Sequence, residues 1–380
     1  MAASIVRASL NKFSWFVVLA MALHHHICSV AIAQQVPCFF IFGDSLMDNG
    51  NNHQLKTVAR ADYPPYGIDF PGGPSGRFCN GRTPADVLGM DHICTLDFTA
   101  ELLGFDHYMP PFTVASGLEV LKGVNYASAA AGIREDSGEE LGGRIPFGGQ
   151  VENYKKTVSQ IEKLLGDGVT AAKHLSKCIH SVLMGSNDYI NNYFLPEFFS
   201  TAQQFTPLQY ADDLIRRYNK QLKVMYSYGA RKFALHGLGQ IGCCPFKLDG
   251  PNGTACVENI NDAVQIFNRK LKLLVDQLNQ DTPDAKFIYL DTYGIFKELL
   301  ENPVPKGFTV TNEACCGVGK NNALLTCLPF QTPCENRNQY LFWDSFHPTD
   351  AANEYVSRRS YRAESPSDAH PYDISRLAEV

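Results

Sequence analysis

Short, mostly apolar runs recur along the chain at 36–42, 179–184, 232–235 and 286–290. They are too short for ordinary helices and lack the strict alternation of half-exposed strands, so they predict parallel strands buried on both faces. Residues 124–127 (Val-Asn-Tyr-Ala) make a further short strand, which ends in the small-residue tract 128–132. Between the runs the apolar spacing changes to three and four. Residues 151–165 read as a helix with Ile161, Leu164 and Leu165 inward. Residues 207–228 place Tyr210, Leu214, Tyr218, Leu222 and Met225 on one face. Residues 259–280 do the same with Ile260, Val264, Phe267, Leu271, Leu274 and Leu278, stopping ahead of Pro283. A short helix follows the last strand through Leu300, and residues 58–84, rich in Pro, Gly and Tyr, read as a long surface loop. The alternation predicts an α/β fold: three α/β/α layers around a central, flavodoxin-like parallel sheet of about five strands. No linker, repeat or low-complexity stretch divides residues 34–380, so a single domain is expected.

Residues 1–33 are set apart from that pattern. Arg7 and Lys12 form a basic start, 13–23 an apolar stretch, and Ala31-Ile32-Ala33 a cleavage site ahead of Gln34. This predicts a secretory signal peptide; a membrane anchor fits less well, because His24–His26 interrupt an apolar run shorter than the ~20 residues of a span. The chain carries 33 Lys and Arg against 39 Asp and Glu, a net charge of −6, and loss of Arg7 and Lys12 would make it −8. That balance argues against a nucleic-acid partner and leaves no polybasic membrane patch. Cys243, Cys244 and Cys256 form one cluster, and Cys315, Cys316, Cys327 and Cys334 another. Neither has paired C-x-x-C spacing with nearby histidines, so local disulfides are expected rather than zinc, with the connectivity open. Asn252-Gly253-Thr254 is a sequon, which makes Asn252 a glycosylation candidate.

The chemistry concentrates where the first strand stops. Gly43-Asp44-Ser45 follows it directly, and Asp, Asn and Gly then expose the strand tip. Ser45 therefore sits at the carboxyl edge of the sheet, where open α/β folds bind ligands. A serine hydroxyl needs a base, and the base needs a group to hold its tautomer. Asp344 and His347, three apart, can put carboxylate and imidazole side by side. Gly185-Ser186-Asn187-Asp188-Tyr189 closes another strand on the same edge, so the Asn187 amide can face Ser45 as a donor.

These blocks, 42–52, 123–133, 185–189 and 344–349, give a chain that resembles the plant-type GDSL esterase/lipases of the SGNH hydrolase superfamily, over about 36–378. The resemblance implies an SGNH fold and a secreted, apoplastic or cell-wall serine hydrolase of carboxylic esters. Ser45 is then the nucleophile, His347 the base and Asp344 its partner. The oxyanion hole comprises the Ser45 N–H, Asn187 and a backbone N–H of the second block, expected at Gly132 with Ala130 as the alternative. No metal or organic cofactor is implied, and the substrate is a small-molecule or polymer-borne ester. An acyltransferase working through the same acyl-enzyme and a non-catalytic binding protein are the other readings. No G-x-S-x-G, H-E-x-x-H, P-loop or dinucleotide fingerprint is present. Asp44 and Asp48 read as turn caps.

One segment breaks the pattern. Residues 84–88 and 100–105 look like two halves of one amphipathic helix, with 89–99 and its Cys94 intervening. The intervening stretch is either a variant substrate-lid loop or, as expected here, an aberrant exon segment.

Overall fold

The computed structural model describes residues 34–90, 102–249 and 253–380. The leader at 1–33, most of the odd segment and Asn252 lie outside the described residues. Four parallel strands stand side by side in chain order: β1 (Phe39–Gly43), β2 (Ile179–Leu183), β3 (Lys232–His236) and β4 (Lys286–Leu290). The main helices are α1 (Pro84–Gly89), α2 (Phe147–Leu165), α3 (Gly168–Leu175), α4 (Pro207–Ser227), α5 (Glu258–Asp281), α6 (Thr292–Glu301), α7 (Asp350–Tyr361) and α8 (Ile374–Glu379).

Because side chains alternate along a strand, each strand feeds two cores. Phe40, Phe42, Val182, Phe233, Leu235, Phe287 and Tyr289 point into one core, which the inner faces of α2, α4 and α5 cover. Phe39, Ile41, Ile179, Leu183, Ala234, Ile288 and Leu290 point into the other, closed by Val87 and Leu88 of α1 and by Ile374 and Leu377 of α8. The three layers follow directly. Thr206 starts α4 with a reciprocal cap to Gln209, and all five expected inward residues of that helix are buried. In α2 the buried stripe is Phe147, Val151, Tyr154, Val158 and Ile161, whereas Leu164, expected inward, is exposed. The stripe continues from residues ahead of the expected start, and Leu164 falls off it.

The sheet has five strands, but the fifth is the antiparallel pair Ala369–His370 beside β4. The expected strand at 124–127 lies against the other edge. Ile41 N–H donates to Val124 O at 3.1 Å and Tyr126 N–H to Ile41 O at 2.8 Å, yet Asn125 forms only isolated parallel bridges, one to Ile41 and one to Pro111. The Asn125 side chain accepts from Ala127 N–H and donates to Met47 O, which draws the segment out of regular register.

α1 stops at Gly89, and 102–105 do not continue it. Leu103 N–H donates to Leu88 O and Phe105 N–H to Gly89 O, so an irregular segment, joined to the helix end by a parallel bridge at Met90 and Phe105, satisfies the last carbonyls of the helix. Leu102, Leu103 and Phe105 are still buried. Their apolar spacing is real, but their backbone is not helical.

Disulfides join Cys243 to Cys256, Cys315 to Cys334 and Cys316 to Cys327, each within an expected cluster. A fourth, Cys38–Cys178, spans 140 residues and ties together the starts of β1 and β2. Cys79 and Cys244 are buried and have no disulfide partner among the described residues.

Candidate active site

β1 ends at Gly43, where a Cβ would meet the Leu183 carbonyl at 2.8 Å, so only glycine lets the two strands approach there. The chain then turns sharply. Asp44 Oδ1 accepts from Leu46 N–H at 3.0 Å, and Asp44 O accepts from Met47 and Asp48 N–H. Ser45 is left at the tip of the turn. Its Oγ is 2.7 Å from His347 Nε2, and His347 Nδ1 is 2.8 Å from both oxygens of Asp344. Residues 302 positions apart in sequence thus form one continuous chain of hydrogen bonds.

The loop carrying His347 is held by Asp344 itself, whose Oδ1 accepts from Phe346 and His347 N–H at 2.9 and 2.8 Å. Trp343 N–H donates to His347 O at 2.7 Å and closes the turn. Asp344 is completely buried. Burial opposes its charge, but His347, the Tyr66 hydroxyl and the Phe346 N–H outweigh that penalty and hold the carboxyl below its ordinary value. Tyr66 donates to Asp344 Oδ2 at 2.6 Å, and burial followed by the neighbouring carboxylate keeps its own proton firmly on. Tyr66 belongs to the stretch read as a surface loop. Nothing in its local sequence marks it, because its partner lies 278 residues away. Phe78, from the same stretch, packs its ring 5.0 Å from the His347 ring. The adjacent Arg77 is anchored by a buried two-pronged pair with Asp86 of α1, both contacts 2.7 Å.

The second block is pinned by the first. Asp48 Oδ1 accepts from Gly50 and Asn51 N–H, while Oδ2 accepts from Ala129 N–H at 3.0 Å. Asn51 Nδ2 donates to Asn125 O and Ala127 O, and Asn52 Nδ2 to Ala129 O. Asp48 is thus a cap, as expected, and also a strut between the blocks. Asp44 caps through Oδ1, but its buried Oδ2 has no partner among the described residues. Burial pushes the Asp44 carboxyl up to about 7.

Asn187 follows β2 after Gly185, which takes φ 135°. Its Nδ2 donates to Ala131 O at 2.9 Å and its Oδ1 accepts from Asn191 at 2.7 Å, so the amide is oriented with one N–H left over. In a trans peptide the N–H points away from the C=O. With Ala131 O aimed at Asn187, the Gly132 N–H faces the opposite way. Gly132 packs instead on Ser137 and Asp188, where a Cβ would come within 2.5 and 2.8 Å. Ala130, the alternative, has φ 64°, a left-handed conformation unusual for alanine; neither its N–H nor that of Gly132 makes a hydrogen bond among the described residues, so the two differ in direction only.

Ser45, Asn187 and His347 open onto one pocket of about 930 Å³, counting its solvent-facing mouth. Its walls are largely apolar, with Leu183, Ile190, Ile241, Phe296, Phe346 and Val356. An oriented serine–imidazole–carboxylate chain with an amide donor at the mouth of an apolar pocket is suited to attack on the carbonyl of an acyl compound.

The profile of the GDSL-like lipase/acylhydrolase family matches residues 39–359. Three GDSL esterase/lipases of Arabidopsis thaliana are similar over nearly the whole chain. One is 58% identical over 368 residues, covering 96% of this chain and 98% of the relative. The others are 59% identical over 348 residues (91% and 92%) and 57% identical over 346 residues (90% and 92%). By that match, and with this geometry at its sheet edge, the chain belongs to the GDSL-like lipase/acylhydrolase family and is a carboxylic ester hydrolase.

Proposed function

We propose that the protein is a secreted esterase working through an acyl-Ser45 intermediate. The observation that carries this reading is the unbroken chain Ser45 Oγ, His347 Nε2, His347 Nδ1, Asp344, with contacts of 2.7 and 2.8 Å. Ser45 Oγ attacks the ester carbonyl as its proton passes to His347 Nε2, while Asp344 holds the Nδ1 proton and the imidazolium. The tetrahedral oxyanion is met by the Ser45 N–H, the spare Asn187 N–H and a backbone N–H of the second block, for which Ala130 is better turned than Gly132. Collapse expels the alcohol, which takes the proton from His347. Water, activated by the same imidazole, then releases the acid. The leader at 1–33, the four disulfides among the described residues and the sequon at Asn252 fit an extracellular, apoplastic or cell-wall setting.

The test is kinetic. On p-nitrophenyl esters of graded chain length, Ser45→Ala and His347→Ala should each lose activity by ~10⁴ or more, because members of such a unit fail together. Activity within tenfold of wild type in either folded variant would contradict the mechanism. Product analysis with an added alcohol decides the acceptor: free acid as the main product supports hydrolysis, and a transferred ester as the main product supports an acyltransferase.

A further inference from the structure

The densest run of exposed apolar side chains lies outside the pocket, on a hairpin beside the catalytic loop. Cys315 N–H donates to Phe342 O and Cys316 N–H to Trp343 O, so the hairpin leaves the protein where the loop of 343–347 begins. Gly317–Val318 then pairs antiparallel with Leu325–Thr326. Val318, Leu324 (65% exposed), Leu325 (55%), Leu328 and Phe330 (83%) all lie in the open. Scattered apolar side chains on a surface are ordinary, but a group of them marks an interaction site.

The hairpin is built to keep them there. Disulfides Cys316–Cys327 and Cys315–Cys334 staple its base, Tyr63 donates to Cys327 O, and Gln331 donates to Gly317 O. Phe330 has φ 62°, an outlier for a bulky residue, and its N–H is tied to Pro64 O at 2.8 Å. Among the described residues four other than glycine have positive φ: Asn321, Asn322 and Phe330 of this hairpin, and Ala130. Backbone strain of this kind gathers at functional sites.

Three observations bear on what covers the patch. Both residues of the second strand are exposed, so the ribbon projects with neither face fully packed, a shape suited to entering a soft apolar phase. From Gly317 to Cys334 the only charged residue is Lys320, so contact with that phase dehydrates no carboxylate. The patch also continues towards the pocket. Asn321 Nδ2 donates to Gly253 O, in the same loop as the exposed Phe246, whose ring lies 5.0 Å from that of Phe346 on the pocket wall.

We propose that the hairpin 317–331 docks the protein on the surface of aggregated lipid and so brings the pocket of Ser45 to an ester held in that surface. The delivery of substrate rests on the acyl-Ser45 reading; the docking does not. The contact is apolar, and salt screens it little.

Flotation with phosphatidylcholine vesicles reads the docking without turnover. Wild type should float with the vesicles at low and at high salt. Leu325→Ser combined with Phe330→Ser should bind about tenfold more weakly or worse, since two large apolar groups are lost. Val169→Ser, a change of a similarly exposed residue on α3, should float like wild type. The double variant should keep kcat/KM on dissolved p-nitrophenyl butyrate within about twofold, as surface changes do, and lose rate on p-nitrophenyl palmitate carried in the vesicles. Wild type that does not float, or a double variant that floats as well as wild type, overturns the proposal. So does a wild-type dimer that the double variant makes monomeric, because a second copy of the chain then covers the patch. Flotation by wild type with no turnover of either ester supports the docking and overturns only the acyl-Ser45 reading.

Discussion

The Asn187 amide carries two N–H groups, and the fold has committed one of them to Ala131 O. If the other meets the oxyanion, its bond strengthens in the transition state and acts on kcat more than on KM. Asn187→Ala should then cost ~10²–10³ in kcat. Asn187→Asp should be at least as harmful to kcat, since it puts a negative charge beside a developing one; both variants also lose the bond to Ala131 O and should melt lower, so kcat is compared in the folded proteins. A plain turn cap would tolerate Asp better than Ala, so near-wild-type kcat in folded Asn187→Asp would remove the oxyanion role. Asp44 offers a second test, on stability. Its carboxyl is raised from 3.8 to about 7, chiefly by burial, with Leu46 N–H and His347 opposing. The folded state then holds a proton that the unfolded state releases between these values, so this group's contribution to stability falls as pH rises from about 4 to 7. Asp44→Asn cannot ionise. Its melting temperature relative to wild type should rise between pH 5 and pH 8, and a difference flat with pH would contradict the burial account.

Among the elements, α1 and the segment after it bear the sharpest test. We propose that 89–99 is foreign to the fold, and that its removal would let 100–105 continue α1 as one helix. The apolar residues Leu102, Leu103 and Phe105 already lie in the core. Deleting 89–99 should raise secreted yield and melting temperature, by restoring a helix and removing the Cys94 thiol. A deletion variant that fails to secrete, or folds without activity, would make the segment a working part of the protein. The helices with regular apolar stripes, α4 and α5, were legible in the sequence because burial on one face imposes a period. The four main strands were legible for a related reason: burial on both faces leaves them nearly all apolar. α3 and α7 were not, since α3 is eight residues long and α7 buries Asn353, Ser357, Arg359 and Ser360 in place of an apolar stripe. The edge pair Ala369–His370 carries no pattern at two residues, and Tyr66 and the Cys38–Cys178 bond depend on contacts that local sequence does not encode.

Across the whole molecule, the parallel sheet makes a site out of distant segments. β1 delivers Ser45, β2 delivers Asn187, and the loop of 343–347 lays His347 over the same edge. Ser45, Asp344 and His347 were readable because each lies in a short motif next to a strand end or a tight turn. The choice between Gly132 and Ala130 was not, because it turns on the direction of one peptide plane. The claim that everything else depends on is that Ser45 alone is the nucleophile. Treating the folded protein with a fluorophosphonate and mapping the adduct by peptide mass spectrometry tests it most directly. The account predicts one modified residue, Ser45, with labelling abolished in Ser45→Ala and severely slowed in His347→Ala. An adduct on another serine, or none in folded protein, would contradict it.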